Sequence, residues 1–190
     1  MTSLRFATVG DLYDAFPTAR DDVGVDARNE PSLAFVEMLA SMQVWDAAIS
    51  FCAYLLRRQE AVWWGSQSLR RMIELAPHEC DLLDVAEDWV RKPDEEHRWA
   101  ALDWGRRSDT LLPGTWMALA AGWSGGSVVR PEFGNIPSAP DQTPRAVRAG
   151  LMIAMVRIPS EATDDTMRQC TRYAIQLAAR DGASLQNEPN

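Results

Sequence analysis

Residues 122–126 read Gly-Trp-Ser-Gly-Gly. The string fits G-x-S-x-G, the nucleophile elbow in which a serine on a strand-to-helix turn exposes its hydroxyl beside backbone donors. The chemistry would be acyl transfer, with Ser124 attacking a carbonyl and a histidine taking its proton. The surroundings argue against it. Ser124 follows an apolar stretch with helical spacing and precedes a run of glycines and prolines, so the expected order is helix then loop. In the elbow fold the histidine also comes downstream of the serine, after the acid. His78 and His97 both precede Ser124. Gly125 and Gly126 are instead what a helix end needs to enter the left-handed conformation without a side-chain clash.

Other chemistries find no better footing. Cys52, Cys80 and Cys170 are odd in number, far apart and set among apolar neighbours. They read as reduced thiols packed like small hydrophobes rather than as a disulfide framework. His78-x-Cys80 is too sparse for zinc, which takes four ligands at recognisable spacings. The chain has no G-x-x-x-x-G-K-[ST], no G-x-G-x-x-G after a strand and no H-E-x-x-H. The acidic pairs Asp21-Asp22, Glu95-Glu96 and Asp164-Asp165 suit solvated positions or helix starts, where negative charge complements the dipole. No catalytic residue, cofactor site or metal site is therefore expected. A histidine buried beside an acid in a cleft is the arrangement that would favour an enzyme.

Composition narrows the partners. The 190 residues carry a net charge of −8, with 46% apolar residues. Eighteen arginines and the single Lys92 are scattered singly or in pairs, with no basic patch to displace counterions from nucleic acid. The longest strongly apolar stretch, near 151–156, is far short of the roughly 20 residues of a bilayer span. The N-terminus lacks the basic and apolar regions of a signal peptide. A cytoplasmic protein with no nucleic-acid or membrane partner is expected.

The elements that must position these residues are helical. Thr8-x-x-Asp11 predicts a capping box, and 20–29 reads as a loop. Apolar residues recur at three and four over the segments 31–41, 44–56, 60–75, 78–91, 95–107, 113–123, 143–158 and 160–181. Thr143-Pro144 fits an N-cap followed by proline. The helix after it is apolar on most sides, which predicts a central place, and Gly182 is the expected final stop. No stretch alternates like a strand; Val128-Val129 is too short. The fold class is all-α: an irregular bundle of about eight helices arranged as antiparallel hairpins, with one long loop near 124–142. Residues 1–182 form one domain, with 1–30 as an appendage and 183–190 as a flexible tail.

Two features suggest a contact surface. The chain has eight tryptophans, and Trp63 and Trp64 are adjacent. Neighbouring helical positions point about 100° apart, so the two rings cover a broad arc and one can reach the rim of the core. Exposed tryptophans are favoured in binding hot spots; the alternative is that all eight fill a core of small residues. The 124–142 segment exceeds the roughly 12–15 residues usual for a loop, and Val128, Val129, Phe133 and Ile136 make it too apolar for a free linker. Either it crosses a groove of its own protein or it forms a partner surface. The candidate partner-binding residues are Arg57, Arg58, Trp63, Trp64, Val128, Val129 and Phe133.

The segments "RRQEAVWWGSQSLR", "AEDWVRKPDEEHRWAA", "WMALAAGWSGGSVV" and "TPRAVRAGLMIAM" resemble an uncharacterised family of bacterial all-helical proteins, a domain of unknown function, over roughly 35–180. The resemblance implies an accessory, adaptor or chaperone-like role near type VI secretion loci, and transfers no site residue. The expected function is a non-enzymatic protein-interaction module. An immunity protein that neutralises a toxin is the alternative, since acidic charge suits a basic partner. An enzyme whose site gathers distant residues is the third.

Overall fold

A computed structural model describes residues 4–180. The chain opens with two short helices, α1 (Val9–Ala15) and α2 (Pro17–Val23). Thr8 caps α1: its hydroxyl accepts from the Asp11 N–H at 3.1 Å, and the Asp11 carboxylate accepts from the Thr8 N–H at 2.9 Å. Then follow α3 (Ser32–Ser41), α4 (Trp45–Leu55), α5 (Arg58–Met72), α6 (Pro77–Arg91), α7 (Glu95–Arg107), α8 (Pro113–Gly122), α9 (Gln142–Val156) and α10 (Ser160–Ala179). A single 3₁₀ turn, Pro131–Phe133, interrupts the long connection before α9. The described residues are thus all-α, with ten helices rather than about eight. They contain only two isolated bridges, Thr8 with Pro31 and Ser127 with Pro137. None of the described helices is long and apolar enough to cross a membrane.

The extra helix is α2, inside a stretch that reads as loop. Pro17 at its first position and Gly24 (φ 71°) at its C-cap bound it. Residues set apart as an appendage join the common core through Val9, Leu12, Tyr13 and Phe16. Phe16 lies 5.4 Å from the ring of Tyr54, and Tyr13 6.4 Å from Phe51. The expected stop at Gly182 and the tail from 183 lie outside the described residues.

Helices α5 to α9 pack each on the next, while α10 folds back over α3, α4 and α5. α5 meets α4, α6, α8, α9 and α10, and α4 meets α2, α3, α5, α9 and α10, whereas α9 meets α4, α5 and α8. Here the expectation from sequence is corrected. In α9 the buried face is Ala146, Val147, Gly150, Leu151 and Ala154, whereas Val156 is 85% exposed. In α8 nearly every residue is buried. Met152, Ile153 and Met155 are half-buried, because only one stripe of α9 meets its neighbours. The glycines and alanines of α8 let α7 and α9 approach its backbone closely. A Cβ on Gly122 would lie 2.7 Å from Leu102 Cα, and one on Gly150 of α9 would lie 2.9 Å from the Pro113 carbonyl oxygen.

The start of α9 is a second correction. Its N-cap is Asp141, which makes no side-chain cap bond. The Thr143 hydroxyl donates instead to the Ala120 carbonyl at 3.1 Å and ties α9 to α8.

Candidate functional site

The GWSGG string performs three structural tasks. Gly122 is the close contact of α8 with α7. The polypeptide leaves α8 through Trp123 and Ser124, and the left-handed step falls at Gly126 (φ 62°), not at Gly125. Ser124 is nearly buried, and its carbonyl accepts from Arg58 Nη1 at 2.7 Å. Its hydroxyl bonds neither histidine. His97 Nδ1 lies 2.6 Å from Asp94 Oδ1, in the first turn of α7, where Asp94 also accepts the His97 N–H at 3.0 Å. The backbone N–H and then the ring hold the Asp94 carboxyl far below its ordinary value. The His97 side chain is 27% exposed, so the pair caps a helix and is not buried in a cleft. Asp94, Glu96 and His97 place ligand atoms within 4.8 Å of one another. They occupy one exposed helix start and offer no enclosed coordination sphere.

Of the three cysteines, Cys52 and Cys170 are buried and Cys80 is half-buried. Burial pushes the Cys52 thiol well up and the Cys170 thiol to about 12. A thiol held so high carries negligible thiolate at neutral pH.

What the structure builds after α8 is an arm. Gly126 to Ser138 runs out and back: Val128 N–H donates to the Ile136 carbonyl at 2.8 Å, and Ser138 N–H to the Gly126 carbonyl at 2.9 Å. The Ser127 hydroxyl accepts from both Val129 N–H and Ile136 N–H at 3.2 Å. Gly134 (φ 100°) supplies a conformation that side chains rarely adopt and reverses the chain.

Arginines fix the base of this arm. Arg98 is buried, with 3% of its side chain exposed. It donates to the Gly122 carbonyl at 2.8 Å and grips Glu95 in bidentate fashion at 2.8 and 2.7 Å. Those bonds hold the Glu95 carboxyl below its ordinary value. Arg106 donates to the Val128 carbonyl, and Arg130 pairs with Asp103. The guanidiniums of Arg98 and Arg130 each lie 4.5 Å from the ring of Trp99. Backbone and α7 side chains thus hold residues 122–130 in place, while the far end stands out: Phe133 is 76% exposed and Ile136 54%.

The candidate contact residues divide accordingly. Phe133 lies at the open end of the arm, and Val128 and Val129 are half-buried near its base. Arg57 is 52% exposed and pairs with Glu60 at 3.3 Å. Arg58 is spent on Ser124. Arg5 completes this corner: it donates to the Leu56 carbonyl at 2.6 Å. Burial, then Arg58 and Arg57, lower its guanidinium. Trp64 requires a correction. It is wholly buried, and its indole N–H donates to the Cys170 carbonyl at 2.9 Å. It is a core residue that joins α5 to α10 and has no surface to offer a partner. Trp63 is half-buried, with its ring N–H buried and unpaired.

Sequence reasoning missed Arg98, Arg106 and Arg130 as the anchors of the arm. Their scattered positions carry no signal, because two of the three bind backbone carbonyls. It also missed Trp104, 45% exposed on α7, and Leu111, 76% exposed between α7 and α8.

A family model described as a family of unknown function (DUF6931) matches residues 35–178. No curated protein and no solved structure matches the chain.

Proposed function

We propose that this chain, which belongs to the DUF6931 family, is a non-enzymatic protein-interaction module that presents the end of its 126–138 arm to a protein partner in the cytoplasm. The observation that carries this reading is the pairing of an anchored base with an open apolar end. Phe133 and Ile136 stand exposed on an arm whose root is held by Arg58, Arg98, Arg106 and Arg130. An aromatic side chain on a pre-fixed support loses little conformational entropy on docking, so more of its contact energy remains as affinity. The resemblance to bacterial helical proteins near type VI secretion genes favours an adaptor or chaperone-like role, with a secretion component or its cargo as partner. The acidic net charge of −8 supports a second reading, an immunity protein that covers a basic toxin.

The test has two stages. Native lysate is passed over immobilised wild type, retained proteins are identified, and the partner is purified for titration. The Phe133→Ser/Ile136→Ser double variant is expected to bind it at least about tenfold more weakly, the loss of one buried aromatic anchor. No retained partner, or equal affinity for both proteins, refutes the reading. Specific labelling of Ser124 by a serine-reactive probe would overturn its non-enzymatic part.

A further inference from the structure

Away from the arm, α5 and α10 border a cavity of about 350 Å³, within the size range of small-molecule sites. Its lining combines two kinds of surface. Met72, the buried Cys170 and the ring of Tyr173 supply apolar area, and Ser68 supplies a hydroxyl. Arg71 from α5 and Arg172 from α10 supply two guanidiniums.

The charge of this lining is unusual for the molecule. The chain has 27 acidic and 19 basic residues, and most described arginines are engaged by a carboxylate or a carbonyl. Arg20, Arg28, Arg70, Arg91, Arg98, Arg130 and Arg157 all form ion pairs. Arg71 and Arg172 form none among the described residues; Arg71 lies instead over the Tyr173 ring at 4.9 Å. Among the described residues no aspartate or glutamate lines the cavity. A groove that contains Glu37 adjoins it and shares Arg172 and Gln176. Both guanidiniums are at exposed positions on neighbouring helices, free to turn toward a ligand, and guanidinium forks suit carboxylate and phosphate oxygens.

We propose that this cavity binds a small organic anion, its carboxylate or phosphate head between Arg71 and Arg172 and its apolar body against Met72, Cys170 and Tyr173. The site is separate from the arm and does not depend on the proposed partner. Cys170, which lines the cavity, accepts the Trp64 indole N–H at its carbonyl.

Titrations of the full chain with phenyl phosphate, benzoate and inorganic phosphate, followed by amide chemical shifts, test the proposal. At least one probe is expected to saturate, with shifts concentrated on residues of α5 and α10 and with affinity falling as salt rises. Arg71→Gln and Arg172→Gln, both at exposed positions, are each expected to weaken that binding about tenfold or more. Arg107→Gln on α7 should leave it unchanged. Circular dichroism confirms that each variant is folded. Absence of saturation by all three probes at millimolar concentration overturns the proposal. So does binding that survives both cavity variants, or that Arg107→Gln weakens equally.

Discussion

The three glycines of residues 122–126 share one short motif and should respond to alanine in three different ways. At Gly122 an added Cβ would lie 2.6 Å from Leu102 Cβ, 2.7 Å from Leu102 Cα and 2.9 Å from Leu102 Cδ1. A rotamer change moves only the last of these, so α7 and α8 must separate. Overpacking of this kind costs about 1–3 kcal/mol. The better helix propensity of alanine returns up to about 1 kcal/mol, and less than that at the final residue of a helix. The net expectation is a loss of about 1–2 kcal/mol. At Gly126 the φ of 62° disfavours any L side chain, by about 1–2 kcal/mol. The Cβ would also come within 3.2 Å of Arg98 Nη2, which Glu95 holds in place. At Gly125 the φ is ordinary and the Cβ would enter open space. Alanine there should change stability by no more than about 0.5 kcal/mol. Urea unfolding followed by circular dichroism gives the ranking as shifts of midpoint at constant slope. If Gly122→Ala proves as stable as Gly125→Ala, the close α7–α8 crossing is wrong, and with it the structural account of the motif.

Two further outcomes follow from the same packing. Trp64→Phe removes buried ring volume and the bond to the Cys170 carbonyl, and should cost about 1–3 kcal/mol; Trp63→Phe removes a buried donor that has no partner and should be near neutral. Thermal unfolding of the two variants checks this, and the reverse order would refute the assignment of Trp64 to the core. Glu79 accepts the Ala76 N–H at 3.0 Å and Arg157 Nη1 at 2.7 Å, while Arg157 also donates to the Glu74 carbonyl. Burial by itself would raise the Glu79 carboxyl, but the bonds from Arg157 and the Ala76 N–H together hold it below its ordinary 4.5. A carboxyl depressed in the folded state stabilises the fold fully above its unfolded value, and that contribution is lost as pH falls through the folded one. Glu79→Gln should therefore cost about 1–2 kcal/mol at neutral pH, Arg157 being partly exposed. The gap from wild type should close as pH falls below about 4.5; a gap that stays constant across acid titration of stability would refute the pairing.

Much of the helix inventory was legible in the chain because it is encoded locally. Apolar spacing marks α3 to α10, the Thr8–Asp11 box marks the start of α1, and Glu95-Glu96 mark the first turn of α7. The reversed order around Ser124 separated the GWSGG string from a nucleophile elbow without coordinates. α2 escaped because a seven-residue helix has too few apolar positions to establish a period.

Tertiary structure decided the rest. Which of Trp63 and Trp64 turns inward depends on how α5 is rotated against α9 and α10, and two adjacent indoles look alike in sequence. Which helices are most enclosed depended on the path of the chain: α4 with bulky residues and α8 with small ones are both buried nearly throughout, while α9 keeps an exposed side. The arm was recognisable as a long apolar loop, but its anchors were not. Arg58, Arg98 and Arg106 reach main-chain carbonyls, and a carbonyl carries no residue identity from which a partner can be read. Only the folded path of the chain brings those oxygens to the guanidiniums, and only there do Phe133 and Ile136 become the exposed end of a fixed support.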